Sequence, residues 1–368
     1  MAGRIVLFGA TGYTGRLVAH SLVRRGARPL LAARSEGPLE ELAAELGGLE
    51  TQRADVSEPD SVRALVERGD VLVSTVGPFV RWGEPAIHAA VAAGAHYLDS
   101  TGETPFIRDV FQRYGAGAEA AGCGLVTAFG YDWVPGNLAG AMALDDAAGQ
   151  GEAVTRLDIG YFMTGDASGG MSGGTRASAA SVFLEPSHTF RDGQVRTERG
   201  AARLRSFEVR GRDRVAVSVG TSEHFALPRL SERLRDVDVY LGWFGPLSRP
   251  MQAMSLATSL ATRLPGVRSG MSAAVGRFVK GSTGGPDAAQ RAKSSSHVVA
   301  VASSARGDVL ATIHLEGANG YDFTGDILAW GADAALSGLH GAGALGPVDA
   351  FGLDRLRAGC AEAGINRV

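Results

Sequence analysis

"IVLFGATGYTGRLVAHSLVRRG", Ile5 to Gly26, sets three glycines at intervals of three ahead of an amphipathic run. Ile5–Phe8 suits a short buried strand, and Tyr13–Arg25 carries Leu17, Val18, Leu22 and Val23 at helical spacing. Gly9, Gly12 and Gly15 therefore fall in a strand-to-helix turn. Glycine weakens an element it does not serve, so three in one turn imply that something approaches this backbone closely. Gly9 would permit the tight turn, Gly12 would bring N–H groups near a phosphate, and Gly15 would let helix pack on strand. A pyrophosphate at the helix start would meet unpaired donors and the positive end of the helix dipole. Thr11, Tyr13 and Thr14 complete this candidate cradle. The spacing is G-x-x-G-x-x-G, not the G-x-G-x-x-G of the NAD fingerprint, so on spacing alone an ordinary tight turn explains it equally well.

The segments that follow favour a nucleotide. A second strand, Pro29–Ala33, ends in Ala33-Arg34-Ser35, where an NAD-preferring site would place Asp or Glu for the ribose 2′-OH. Arg34 and Ser35 suit a 2′-phosphate instead, which points to NADP. Thr51–Val56 reads as a strand ending at Asp55, putting Asp55 and Val56 at the adenine edge. A helix over Pro59–Arg68 and a strand over Val71–Thr75 follow, and the latter stops at Val76-Gly77-Pro78. Those three residues should line the nicotinamide and its ribose. A helix at Glu84–Ala93, a strand at His96–Asp99, a helix near Thr104–Ala121 and a strand at Gly124–Phe129 continue the alternation. Such alternation predicts an α/β fold with a Rossmann-type doubly wound parallel sheet, binding ligand at the carboxyl ends of its strands.

With 368 residues, 45% hydrophobic and 20% charged, the chain can bury a large core, as two domains or one enlarged α/β unit. A net charge of −3 exerts no bulk pull on nucleic acid or anionic lipid, so neither is expected as a partner. Cys123 and Cys360 are the only cysteines, which supports neither a disulfide framework nor a cysteine-based metal site; no metal is expected. The first apolar run is too short for a membrane span or a signal segment, so a cytoplasmic location is the expectation. Lys280 and Lys293 are the only lysines. None of the seven tyrosines has a lysine four residues on, which excludes the Tyr-x-x-x-Lys chemistry of short-chain reductases.

"GATGYTG" at Gly9–Gly15, "GPFVRWGEPAIHAAVAAGAHYLDSTGE" at Gly77–Glu103 and "GYDWVPGNLAG" at Gly130–Gly140 together resemble the saccharopine dehydrogenase-like NAD(P)-binding family, and most closely its bacterial branch of trans-acting enoyl reductases. The resemblance continues through "SGGTRAS" (Ser172–Ser178), "EHFALPR" (Glu223–Arg229), "DVDVYLG" (Asp236–Gly242), "GGPDAAQRAKSS" (Gly284–Ser295) and "GPVDAFGLDRLRAGCAEAGI" (Gly346–Ile365). Two departures fall where substrate should enter: Trp133 stands where relatives often carry serine, and Gly136-Asn137 follow the proline. The resemblance implies a second α+β domain on an antiparallel sheet. In agreement, Val154–Met163, Phe207–Val209, Val215–Val219, Ser296–Val301 and Val309–Leu315 read as strands, Arg306–Asp308 as a hairpin tip, and Gly173–Leu184 as helical. The expected division is a dinucleotide-binding domain over 1–133, completed by C-terminal helices within 322–368, and a second domain over 134–321.

Tyr131 and Asp132, in a loop after a parallel strand and before a helix opened by Pro135, are the candidate catalytic donors. The plain alternative is that Asp132 caps the helix and Tyr131 packs. Glu103 could orient ribose or substrate, or simply begin a helix. Ser172–Thr175 could offer N–H groups to a carbonyl, and His224, in an apparent strand, is a lesser candidate. An oily stretch from Leu241 to Val279 reads either as a substrate wall or as a helix pair or homodimer interface. The function expected is NADPH-dependent hydride transfer to a C=C (enoyl) or C=N (imine) bond of a small-molecule or thioester-bound hydrophobic substrate. An NADP-binding redox sensor without turnover and a saccharopine-type amino-acid dehydrogenase are the alternatives.

Overall fold

In the computed structural model, which describes residues 3–149, 151–165, 186–243, 245–261 and 284–368, the chain begins with strictly alternating strands and helices. They are β1 (Ile5–Phe8), α1 (Tyr13–Arg24), β2 (Leu30–Ala33), α2 (Glu36–Glu45), β3 (Thr51–Arg53), α3 (Pro59–Arg63), β4 (Val71–Ser74), α4 (Phe79–Trp82), α5 (Glu84–Ala93), β5 (His96–Asp99), α6 (Thr104–Asp109), α7 (Gly115–Ala121) and β6 (Gly124–Val126). One π turn, Val110–Tyr114, joins α6 to α7. The central strands are buried along their whole length, as strands covered on both faces must be. Every pairing in this sheet is parallel, in the order β15-β6-β5-β4-β1-β2-β3. The chain reverses direction across the sheet between β1 and β4, which opens a crevice at their carboxyl ends.

The rest of the chain builds a second layer: α8 (Val134–Ala147), β7 (Arg156–Gly165), β8 (Pro186–Arg191), β9 (Gln194–Arg199), β10 (Leu204–Val209), β11 (Arg212–Val219), α9 (Glu223–Ala226), β12 (Asp236–Leu241), α10 (Ser248–Ala261), α11 (Ala288–Arg291), β13 (Ser294–Ser303), β14 (Val309–Gly317), α12 (Gly320–Leu336), β15 (Gly343–Ala344), α13 (Pro347–Phe351), α14 (Leu353–Glu362) and β16 (Ile365–Arg367). Its sheet runs β10-β11-β12-β7-β13-β14-β16, with β8 pairing β12 and β9. This sheet is mixed where an antiparallel one was expected. β7 and β12 are parallel neighbours, because the β8–β11 segment between them carries the chain back to its starting edge. The hairpin tip lies where expected, between β13 and β14, with Gly307 at positive φ. The helix expected over Gly173–Leu184 lies outside the described residues.

The C-terminal elements serve both layers. β15 extends the parallel sheet beside β6, while β16 pairs with β14 in the mixed sheet. Between these strands α12 packs against α1 so closely that a side chain at Gly325 would meet the Leu17 backbone at 3.2 Å. One continuous apolar core runs from Leu7, Val18 and Val73 through Phe323 and Trp330 to Leu157, Ile159 and Val239.

Candidate functional site

The three glycines of the first turn do different work. Gly9 sits at φ +89°, and a side chain there would lie 2.7 Å from Thr75 Oγ1 and 2.9 Å from Val76 Cγ2. At Gly15 a Cβ would lie 2.2 Å from the Gly9 carbonyl oxygen, so this glycine lets α1 touch the turn. Gly12 is different: a Cβ there would meet only the Gly9 carbonyl, at 3.3 Å. It is the N-cap of α1 and offers no side-chain cap, leaving first-turn N–H groups without a side-chain acceptor. Open space over the backbone and uncapped donors together fit a dinucleotide pyrophosphate.

Around the crevice, Thr11, Tyr13 and Thr14 lie on the same turn, partly buried. Tyr13 has a second attachment: its hydroxyl donates to the Pro286 carbonyl at 2.6 Å and accepts from Arg291 at 3.2 Å, which pins the start of α1 to the segment before β13. Arg34 is exposed after β2, and Ser35 is the N-cap of α2 with its side chain making no cap bond. Asp55 accepts from the Ser57 N–H (2.9 Å) and hydroxyl (2.8 Å), which with nearby Arg34 hold its carboxyl below the usual range. Val56 packs beside it at the sheet edge. Val76, Gly77 and Pro78 follow β4, with a cis Gly77–Pro78 bond.

Two buried carboxylates brace the neighbouring strand ends. Glu103 accepts from the N–H groups of Phe79 (2.7 Å) and Val80 (3.0 Å), so it fixes the β4 loop, and burial raises its proton affinity. Asp99 accepts from Thr101 N (2.9 Å), Ala128 N (2.9 Å) and Thr127 Oγ1 (2.7 Å), tying the β5 and β6 loops together. Desolvation nevertheless pushes Asp99 up to about 6.

The β6 loop carries Tyr131, Asp132 and Trp133 into the space between the layers. Tyr131 donates from its hydroxyl to the Phe162 carbonyl (3.3 Å), stacks on Trp243 and meets Tyr161 and Phe323 edge-on. Burial holds its proton firmly. Asp132 does not cap α8. The N-cap is Trp133, which receives no side-chain cap, and the sealed Oδ1 of Asp132 has no hydrogen-bond partner among the described residues. Its Oδ2 faces Gly102 in the β5 loop, 2.9 Å from where a Cβ would stand, while part of the residue reaches solvent. Desolvation pushes Asp132 up to about 7.

From the second layer come residues that sequence reading passed over. Tyr161 on β7 donates to Glu223 Oε1 (2.7 Å) and accepts from Gly136 N (2.7 Å). Glu223, on α9, is fully buried and is pushed up to about 7 by desolvation. A Cβ at Gly136 would lie 2.2 Å from the Tyr161 hydroxyl and 2.3 Å from Glu223 Oε1, so glycine is required there. Asn137 donates to the Trp133 carbonyl (2.9 Å) and Ser222 Oγ (3.0 Å). The Gly136-Asn137 departure was the one sequence signal that pointed to this cluster. His224 lies on helix α9, not on a strand; it and His188 are buried, in edge-on contact, and desolvation pushes them down to about 4 and about 3, so both are neutral. Ser172–Thr175 lie outside the described residues, as does Lys280. No group of three or more His, Cys, Asp or Glu among the described residues could hold a metal, and no described helix is long and apolar enough to cross a membrane.

Comparison with known proteins accords with this geometry. Residues 5–126 match the family model of the saccharopine dehydrogenase NADP binding domain. A Mycobacterium tuberculosis protein named as a trans-acting enoyl reductase is 39% identical over 190 residues, covering 50% of this chain and 45% of that protein. The trans-acting enoyl reductase of Mycobacterium ulcerans is 38% identical over 175 residues, covering 45% of this chain and 42% of that one. The matched region thus spans less than half the length of these relatives. Over the full chain the fold is that of the apo saccharopine dehydrogenase (L-Glu forming) of Saccharomyces cerevisiae, with TM-score 0.64 at 12% identity, covering 100% of this chain and 99% of that one.

Proposed function

We propose that this chain, whose residues 5–126 form an NADP binding domain of the saccharopine dehydrogenase type, is an NADPH-dependent reductase of the C=C bond of a hydrophobic enoyl thioester. Bound NADPH supplies the hydride. Gly12 and the first-turn amides of α1 hold the pyrophosphate, with Gly9, Thr11, Tyr13, Thr14 and Gly15 shaping the turn. Arg34 and Ser35 take the 2′-phosphate, Asp55 and Val56 flank the adenine side, and Val76, Gly77 and Pro78 border the nicotinamide.

The observation that carries the reading is Asp132, an acid at neutral pH with no hydrogen-bond partner on its sealed oxygen, set between the β5 and β6 loops where the strands end. As hydride reaches the β-carbon, the π pair moves to the α-carbon and the thioester carbonyl. The Asp132 O–H bond breaks, its proton forms the new C–H bond at the α-carbon, and Asp132 remains as a carboxylate, reprotonated from solvent on its accessible side. Tyr131, Trp133, Trp243 and Phe323 supply an aromatic surround suited to an apolar acyl chain. Names of the mycobacterial relatives favour the enoyl bond over the imine.

NADPH oxidation followed with enoyl thioesters and with cyclic imines tests the proposal. Turnover of the thioester, reduced about 10²–10⁴-fold in Asp132→Asn with NADPH affinity kept, is expected for a general acid. NADPH binding without turnover of either class would leave the redox sensor instead.

A further inference from the structure

The cluster between the layers holds two carboxyl groups where the proposed chemistry uses one. We propose that Asp132 and Glu223 share a single proton, with Glu223 as the anion and Asp132 as the acid, which makes Glu223 the positioning residue for the protonation state of Asp132. This rests on the reading of Asp132 as the proton donor.

The geometry assigns the charge. Glu223 Oε1 receives the Tyr161 hydroxyl at 2.7 Å, and it lies over Gly136, in the first turn of the 14-residue helix α8. A hydroxyl donor and a helix N-terminus both stabilise an anion. Its Oε2 is sealed and unpartnered among the described residues, so the group is aimed into the cluster and not used up by it. Asp132, at the residue just before the N-cap of the same helix, has no such donor. Each carboxylate raises the proton affinity of the other, and two neighbouring buried anions are unfavourable, so the proton resides on the less stabilised one.

No other group neutralises the pair. His188 on β8 and His224 on α9 are held neutral by burial, and Arg108 acts on His188 only at a distance. Glu103, next to Gly102, is committed to the Phe79 and Val80 amides, and Asp99 to Thr101, Thr127 and Ala128. Tyr131 and Tyr161 both keep their protons. Arg191 and Arg203, near His224, bond to Asp238.

Carboxyl ¹³C NMR titration of the whole chain without nucleotide tests the pairing, with the Asp132 resonance assigned by its loss in Asp132→Asn. Asp132 should titrate near neutrality, and in Glu223→Gln, which keeps an acceptor for Tyr161, its midpoint should fall by about one pH unit or more. Tyr161→Phe, which withdraws the donor from Glu223, should move the proton to Glu223 and shift Asp132 the same way. The basic limb of kcat/KM should move to lower pH by the same amount as the NMR midpoint. An Asp132 midpoint unmoved by both substitutions overturns the pairing, as does a neutral-pH titration found at Glu223 with Asp132 already ionised. These titrations need no turnover, so their failure is distinct from a wild-type rate in Asp132→Asn, which would remove the catalytic reading alone.

Discussion

Gly12 and Gly15 are three residues apart and alike in composition, yet their surroundings separate a ligand-facing glycine from a packing glycine. A Cβ at Gly15 would press on the Gly9 carbonyl, a backbone atom that cannot swing aside, so Gly15→Ala should lower stability by about 1–3 kcal/mol, read by chemical denaturation. At Gly12 the space is open toward the crevice, and Gly12→Val should abolish NADPH binding with an unchanged melting temperature. Loss of fold in Gly12→Val would make that glycine structural as well. Arg34 offers the second residue-level contrast. It is exposed and followed by a serine that caps nothing, so both are free for a 2′-phosphate. Arg34→Ala should weaken NADPH by about 1.5–3 kcal/mol and leave NADH unchanged, as parallel titrations would show.

Helix α8 is the element through which the two layers meet. Its first turn lies against Tyr161 and Glu223, and its body is buried almost throughout. Gly136→Ala would force the Tyr161 hydroxyl and the Glu223 carboxyl apart, with an expected loss of about 1–3 kcal/mol and a change in the pH profile beyond what lower stability produces. The loop leading into α8 also carries a signature in stability against pH. Asp132 is pushed from its ordinary value of 3.8 up to about 7, so the folded state binds this proton more tightly than the unfolded chain. Its contribution is fully present below pH about 4 and is lost as pH rises toward 7, with a slope of at most about 1.4 kcal/mol per unit. Asp132→Asn does not titrate. Denaturant unfolding between pH 4 and 8 should therefore show the variant gaining on the wild type up to about pH 7 and holding level above it. His188 and His224 act in the opposite sense, destabilising as pH falls through their unfolded range, but they are common to both proteins and cancel in the difference.

At the scale of the molecule, the two sheets are joined by shared helices and not by a linker. The apolar core is continuous from β1 to β14, α12 packs on α1, and β15 and β16 place neighbouring C-terminal strands in different sheets. Tyr13, Pro286, Arg291 and Asp322 add a polar clasp across the same boundary. Such coupling predicts one cooperative transition. Far-UV circular dichroism and tryptophan fluorescence, the latter dominated by buried Trp133 and Trp330, should give coincident melting curves. Two separate transitions would mean that the layers fold independently.

Periodicity alone marked the parallel sheet, because strands covered on both faces must be continuously apolar and the helices between them amphipathic, and both requirements are local. The glycine turn after Ile5–Phe8 was legible for the same reason, since backbone conformation is set by neighbouring residues. Strand β12 and hairpin β8–β9 carry charged residues whose partners lie on other strands: Asp238 is buried only because Arg156, Arg191 and Arg203 surround it, so no local pattern reveals those elements. The candidate site divides along the same line. Residue order placed Tyr131 and Asp132 at a strand end, but it could not show that Tyr131 is committed to a carbonyl, that Asp132 lacks any cap, or that Glu223 and Tyr161 join them. Proton affinity depends on lost solvent and on the charges brought near, and only the packing of the second layer against α8 supplies both.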